Sequence, residues 1–354
     1  MAAGTVEPAA SRGRFPRVRE RSGWPRRQTA AVTSGAAPGF RAWTAGRPVP
    51  VGSILSVLRR GPGDPCLRVQ PDGVVWRATG TAAGPVLLRL EARAAEGSVH
   101  AHAWGPGTDA ALWGVPALLG EGDDPEGFRP SPEHPRLVAA WRARPHWRVT
   151  RTGAVFEALA AAALEQRVTG GEAHRAWRLL VQSYGEPAPG PARVEGAFAT
   201  GMRVPPTPQR WAAIPTWEWL RAGVEETRRR VVLAAAAVAH RLERTVELPG
   251  EDAARALRTV PGVGVWTAAE VRQRAHGDAD AFSWNDFHAA KDVTWALTGE
   301  VRDEAACAEL VERYRGHRYR VQRLLELDGV TRPRRAPRMT RPTHLPSVPR
   351  TVRG

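Results

Sequence analysis

Between Cys66 and Trp104, apolar and polar residues alternate in short runs bounded by turn residues, the pattern of half-buried strands. Cys66–Gln70 and Val74–Thr79 flank Pro71-Asp72-Gly73, a turn signal, and Val86–Ala92 and Val99–Trp104 read as two more strands. This β-rich segment begins near Ser53 and closes in Gly120–Pro135, a Pro/Gly-rich acidic stretch that reads as a linker. From about Leu137 the period becomes helical. Ala154–Gln166 carries Val155, Phe156, Leu159, Ala163 and Gln166 near helical spacing; Gly170-Gly171 breaks the run and Ala173–Tyr184 resumes it. Pro187–Pro191 reads as a loop. Pro215–Ala222, Val224–Val246 and Glu251–Thr259 read as further helices, with a break at Pro249-Gly250. No internal repeat of solenoid length is present. The pattern predicts an α+β chain, with an N-terminal antiparallel β-sheet domain followed by an all-helical domain. The expected boundaries are a basic low-complexity tail over 1–50, a β-rich domain and linker over 51–135, a helical domain over 136–330, and a Pro/Arg-rich tail over 331–354.

Length and charge refine this picture. A chain of 354 residues suits about two domains, and 42% hydrophobic content supplies a core. The net charge of +15 is concentrated in the tails: residues 1–50 hold nine Arg and two Glu, and residues 331–354 hold seven Arg and no acid. Each tail therefore carries +7, and residues 51–330 carry the remaining +1. Such Arg/Pro/Ala/Gly-rich ends lack core-forming residues and are expected to be disordered, while still attracting nucleic acid nonspecifically. No apolar run approaches the roughly 20 residues that span a membrane, and the Arg-rich N-terminus lacks the apolar stretch of a secretory signal. A cytoplasmic, nucleoid-associated location is expected. Cys66 and Cys307 give neither metal-ligand spacing nor a disulfide framework, and two thiols cannot hold an iron–sulfur cluster that needs four.

Two motifs carry the chemistry. In Thr259-Val260-Pro261-Gly262-Val263-Gly264-Val265-Trp266-Thr267-Ala268, a short helix runs into a Gly turn and a second helix, expected over Val265–His276, follows. Glycines there permit positive φ and close backbone approach, and unpaired N–H groups opening the second helix suit a phosphate. A plain interhelical turn would use the same residues. About 20 residues on, Gly277-Asp278-Ala279-Asp280-Ala281-Phe282-Ser283-Trp284-Asn285-Asp286-Phe287-His288 ends in a carboxylate suited to cap a helix over Phe287–Leu297.

Together the motifs resemble the helix-hairpin-helix DNA glycosylase superfamily, in which a Leu-Pro-Gly-Val-Gly hairpin precedes a Gly/Pro-Asp loop and an essential aspartate. Asp286 falls on that aspartate. The resemblance is greatest to the bacterial inducible 3-methyladenine DNA glycosylases (DNA-3-methyladenine glycosylase II), whose hairpin also ends in Trp-Thr-Ala, as at Trp266-Thr267-Ala268. Ala163–Thr169 resembles the Gln-x-Val/Ile-Ser segment that opens that family's helical domain. The likeness covers about residues 53–328.

The resemblance implies a monofunctional N-glycosylase of base-excision repair, with no lyase activity, that hydrolyses the glycosidic bond of alkylated purines. Bifunctional members attack the sugar with a Lys at the place of Trp266; this chain's one lysine, Lys291, lies elsewhere. Asp286 would stabilise the oxocarbenium-like sugar. A cationic alkylated base leaves without strong protonation, so one carboxylate suffices. The flipped base would stack on Trp266 and Trp284, each of which also suits core packing. Pro261, Gly262, Val263, Gly264, Thr267 and Gln166 are the expected DNA contacts, although Gln166 equally suits capping or packing. Glu270 stands where relatives often have an aromatic residue, and would either attract a cationic base or face solvent. Trp284 replaces the common Pro or Leu. A wedge into the duplex is expected near Trp147–Thr152. The implied partner is double-stranded DNA with damaged bases, bound by a monomer. No catalytic metal or organic cofactor is implied, and a monovalent cation would sit on carbonyls near Gly262 and Gly264. The alternatives are another lesion specificity and a non-catalytic hairpin protein that binds or senses damaged DNA.

Overall fold

In the computed structural model, which describes Met1 and residues 37–332, strands β1 (Gly39–Thr44), β2 (Leu67–Val69), β3 (Val75–Thr81), β4 (Gly84–Arg93) and β5 (Ser98–Trp104) form one antiparallel sheet. Its order is β1-β5-β4-β3-β2. The alternation is visible in β5, where Val99, Ala101 and Ala103 are buried and His100, His102 and Trp104 take the other face. Gly73, with φ +88°, supplies the left-handed residue of the expected β2–β3 turn.

Three segments depart from the pattern. Strand β1 lies within residues 1–50, which composition assigns to a tail. Trp43 is its one buried residue, and backbone pairing along β5, from Gly39↔Ala103 to Thr44↔Ser98, holds the rest. Side-chain patterning cannot reveal a strand held that way. The segment after Ser53 opens in a helix, Val51–Leu55, because Val51, Ile54 and Leu55 share one buried helical face. Gly120–Pro135 is no free linker: it buries Phe128, Ser131 and His134, and His134 Nδ1 lies 2.7 Å from the Tyr314 hydroxyl. Of the tails expected over 1–50 and 331–354, residues 2–36 and 333–354 fall outside the described residues.

The Val155–Glu165 helix is apolar almost all round and is buried accordingly. Among the described residues it centres one core cluster with Trp177, Trp211, Trp219, Val263 and Ala268. A second cluster joins the sheet (Leu90, Val99) to Phe282, Val293, Tyr319 and Leu324 from the C-terminal helices. Sheet and C-terminal helices therefore share one core across the expected boundary at 135/136. Gly170-Gly171 starts the Gly170–Tyr184 helix rather than merely interrupting one, because Thr169 and Glu172 cap it reciprocally. The single helix expected over 224–246 is two, Glu226–Ala237 and Ala239–Glu243.

Asp123 and Arg320 lock this arrangement. Arg320 is fully buried and donates Nη1 and Nη2 to the Asp123 carboxylate at 3.0 and 2.6 Å. The Val149 N–H donates to the same carboxylate at 2.8 Å. Removing one partner strands a buried charge, so Arg320→Met should lower unfolding free energy by about 3–5 kcal/mol in denaturant titration. Pairing it with Asp123→Leu should restore much of the loss. His276 gives a pH test. Burial, reinforced by the Arg272 charge, holds its imidazole down to about 4. An unfolded His takes up its proton near pH 6.5, so stability should fall as pH drops from about 6.5 towards 4. The slope from this one group approaches about 1.4 kcal/mol per pH unit, and His276→Gln should remove that component.

Candidate functional site

The hairpin joins the Gly250–Leu257 and Val265–Val271 helices. Gly262 has φ +83°, and a Cβ there would lie 2.4 Å from Val231 Cγ2, so both backbone and space demand glycine. Gly264 caps the second helix and has open space above it, with nothing within 4 Å of a Cβ position. Pro261, Gly262 and Gly264 are exposed, whereas Val263 and Thr267 are buried and fix the turn to the helical core. Gln166 holds the turn from behind: its Nε2 donates to the Gly262 carbonyl at 3.0 Å and to Thr267 Oγ1 at 2.8 Å.

The second helix runs on through a π-helical turn, Arg272–His276, and stops at Gly277, φ +73°. Asp278 and Asp280, in the next loop, are structural. Asp278 accepts from Arg272 Nε at 2.9 Å, and Asp280 accepts from the Gly316 N–H at 2.8 Å and from Arg318. The chain then passes Ser283 and turns at Asn285, a non-glycine residue at φ +65°, to deliver Asp286. Asp286 Oδ1 accepts the N–H groups of His288 and Ala289 at 2.7 and 2.8 Å, at the start of the Ala289–Thr298 helix. The helix begins at Ala289 with His288 as its N-cap, later than the expected start at Phe287, and Asp286 holds the two backbone N–H groups just at its mouth.

Asp286 borders a cleft of about 390 Å³ shared with Trp266, Glu270, His288, Gln322 and Glu326, and extending past Glu165, His174, Tyr319 and Arg59. A neighbouring basin, also about 390 Å³, shares the Trp266–Asp286 wall and reaches Ser283, Asp292 and Thr331. Volumes of this order suit a small flat ligand. The walls are polar and internally paired. Ser283 Oγ donates to Glu270 at 2.8 Å and accepts from Gln273 and Gln322 Nε2 at 2.8 and 3.1 Å. Arg274 Nη1 donates to Glu270 at 2.7 Å, and Arg60 pairs with Glu165. Burial pushes the Glu270 carboxyl above its usual range, against the pull of Arg274. Glu165 is held below its usual range because Arg60 and Arg274 outweigh its burial.

Among the described carboxylates lining the cleft, four are ion-paired: Glu165 with Arg60, Glu270 with Arg274, Asp292 with Arg332, and Glu326 with Arg323. Asp286 has no cationic partner among the described residues. It is the one carboxylate of the described cleft lining outside an ion pair, and Arg59, on the same lining, is in none either.

The structure brings Asp286, Trp266 and the hairpin together, but it sets Trp284 apart. Trp284 lies tilted against Phe282, with centroids 4.2 Å apart, packs against the mixed core and does not line the cleft. The left-handed turn at Asn285 separates it from Asp286. The wedge expected near Trp147–Thr152 also fails at its centre, because Trp147, Val149 and Thr150 are buried in the protein. Glu270 is 7% exposed and lines the cleft, which removes the solvent-facing option. Lys291 lies with Nζ 4.4 Å from the Phe287 ring centre and does not line the cleft. Ser283, Gln273, Arg274 and Gln322 carry no signal in the sequence: there they are ordinary polar residues, and only the packing of distant segments makes them neighbours.

No family model matches the chain, and no curated protein does. Solved structures do. The 3-methyladenine DNA glycosylase from Archaeoglobus fulgidus superposes with a TM-score of 0.64 at 18% identity, covering 82% of this chain and 98% of that one. MBOgg1 in complex with a low affinity DNA ligand gives 0.61 at 14% identity, covering 83% and 96%. The Clostridium acetobutylicum 8-oxoguanine glycosylase/lyase in complex with double-stranded DNA gives 0.59 at 11% identity, covering 79% and 91%. Over most of its length, the chain has the fold seen in these DNA glycosylases.

Proposed function

We propose that the protein is a monofunctional DNA N-glycosylase of base-excision repair that removes alkylated purines of the 3-methyladenine type. The observation that carries this reading is Asp286: a half-buried carboxylate, unpaired with any cation among the described residues, at a cleft beside an exposed Gly hairpin. The shared fold supports the reaction class, and the name of the Archaeoglobus protein supports the lesion class.

In this reading the hairpin grips the phosphate backbone while the damaged nucleotide turns into the cleft. Its base lies against Trp266. The C1′–N bond breaks with its electron pair leaving on the base, which neutralises a cationic alkylated purine. Positive charge then develops on the sugar. Asp286 faces that charge: at about 4 Å and an effective dielectric near 20, one ion pair contributes about 4 kcal/mol, nearly three orders of magnitude in rate. Water adds at C1′ and its proton passes to Asp286 or to solvent. Trp266 occupies the place where lyases carry an amine, so the strand stays intact until alkali is added. A monovalent cation would be held by the Gly262 and Gly264 carbonyls and would add positive charge near a phosphate. Within the described residues these carbonyls accept from Gln166 and the Ala268 N–H. The protein acts as a monomer on damaged duplex DNA at the nucleoid.

A second reading has one observation in its favour. Ser283, Gln273 and Gln322 make the cleft wall rich in hydrogen-bonding groups, which suits a neutral, oxidised or deaminated purine. Release from duplexes bearing 3-methyladenine, 7-methylguanine, hypoxanthine or 8-oxoguanine separates the two.

Purified protein should release methylated purines without nicking the strand. Asp286→Asn should slow single-turnover release by roughly 10²–10³-fold or more while duplex binding persists. Binding without release from any of the four substrates would leave a damage-binding protein as the better account. Gln166→Ala leaves the Gly262 carbonyl and Thr267 hydroxyl without their donor. It should cost about 1 kcal/mol in stability, speed amide exchange over residues 259–267 and weaken duplex binding.

A further inference from the structure

A smaller groove of about 240 Å³ adjoins the cleft, lined by Gly63, Asp64, Leu67, Arg68, Val69 and Phe198, and Arg59 belongs to both linings. Four arginines line the cleft. Arg60 pairs with Glu165, Arg274 with Glu270 and Arg323 with Glu326. Arg59 is exposed, and among the described residues its side chain makes no ion pair or hydrogen bond. Its backbone is fixed nonetheless. The Arg59 N–H donates to the Ser56 carbonyl at 3.2 Å, and Arg60 is tied by its N–H to Asp64 at 2.6 Å and by its side chain to Glu165. A cation on a rigid base therefore stands where the cleft and the groove meet.

The groove combines positive charge with apolar surface. Arg68 Nη1 donates to the Phe198 and Thr200 carbonyls at 2.9 Å each, which fastens it to the loop that carries Phe198. Among the described residues Arg68 makes no bond from Nε or Nη2. Val69 and Phe198 are 42% and 40% exposed. Asp64 is the carboxylate of the groove lining; it is buried and accepts the Arg60 and Cys66 N–H groups at 2.6 and 2.8 Å. A chain molecule that occupies both depressions passes Arg59 at the link between its two units. In a nucleic acid strand that link is a phosphodiester, an anion whose oxygens match the guanidinium fork. The same strand offers the groove a deoxyribose, whose C–H faces suit Val69 and Phe198, and a second phosphate for Arg68.

We infer that the groove binds the sugar–phosphate backbone of the damaged strand as it leaves the cleft, with Arg59 on the phosphate that joins the flipped nucleotide to its neighbour and Arg68 on the next one. This rests on the DNA glycosylase function proposed for the cleft. The hairpin is one hold on the strand, and this groove is a second.

The test uses the full chain and a duplex with tetrahydrofuran in place of the damaged nucleotide, so that binding is read without base release. Single methylphosphonates, each removing one phosphate charge, are placed in turn along the strand on both sides of the tetrahydrofuran. Neutralising one of the two phosphates that adjoin it should weaken binding by the unaltered chain on the order of tenfold. Arg59→Gln should weaken binding of the unmodified duplex by a similar factor and lower the slope of log K against log salt by about 0.9. In that variant the sensitive methylphosphonate should cost nothing more, because the two changes remove one contact. Arg68→Gln should do the same for the next phosphate on that side. Arg68 also fastens a loop, so where its variant shifts the unfolding midpoint, Arg59→Gln alone decides. Unchanged Kd and slope in Arg59→Gln, or a loss that adds to that of every methylphosphonate, would overturn the proposal. Slower base release by Arg59→Gln with unchanged tetrahydrofuran binding would make Arg59 a reader of the base and overturn it too. Base release by the unaltered chain from methylated duplex is measured in parallel. Its absence counts against the glycosylase reading, while additive losses in a chain that releases base count against the groove alone.

Discussion

The Ser283 hydroxyl ties its own loop to the second hairpin helix and to the Arg318–Leu327 helix. It donates to Glu270 on the second hairpin helix, accepts from Gln273 at that helix's π-turn, and accepts from Gln322 on the Arg318–Leu327 helix. The Ser283 N–H donates in turn to Gln322 Oε1 at 3.1 Å. Each of these groups is buried, so each needs its partner, and a network that satisfies all of them has one low-energy geometry. That geometry sets the distance between the hairpin and Asp286, three residues beyond Ser283.

The same network decides the electrostatics of the cleft. Five described carboxylates line it, and pairing with arginine neutralises four. Those pairs shape the walls without presenting net charge to a ligand. Asp286 is held differently, by two backbone N–H groups, which fix the carboxylate in place without an ion pair among the described residues. A preorganised charge of this kind costs nothing to reorient when a cation develops, which is how an enzyme favours a transition state over its ground state.

Much of this was legible in the sequence where a local rule governs. The Gly262 turn comes from glycine chemistry and β2 to β5 from alternation, whereas Asp286 is singled out by family resemblance and the structure sets it on the cleft. The hidden parts are non-local. Strand β1 is held by backbone bonds to β5, and one buried Trp43 gives no pattern. Trp284 reads as a base-stacking aromatic and Trp147 opens the stretch expected to hold the duplex wedge, yet packing around Phe282 and the shared core claims both. Glu270 reads as a departure of either sign until Arg274, one turn on, and Ser283, thirteen residues on, are seen to bury it. The shared core of sheet and C-terminal helices is likewise invisible to a division by composition.

The central claim is that Asp286 stabilises positive charge on the sugar. The most direct measurement is the affinity for a duplex carrying a cationic pyrrolidine in place of the damaged nucleotide, against the neutral tetrahydrofuran analogue. The account predicts a preference for the cation of 10²-fold or more, of the order expected for transition-state analogues, that collapses in Asp286→Asn. Equal affinity for the two analogues, or a preference that survives the substitution, would contradict it.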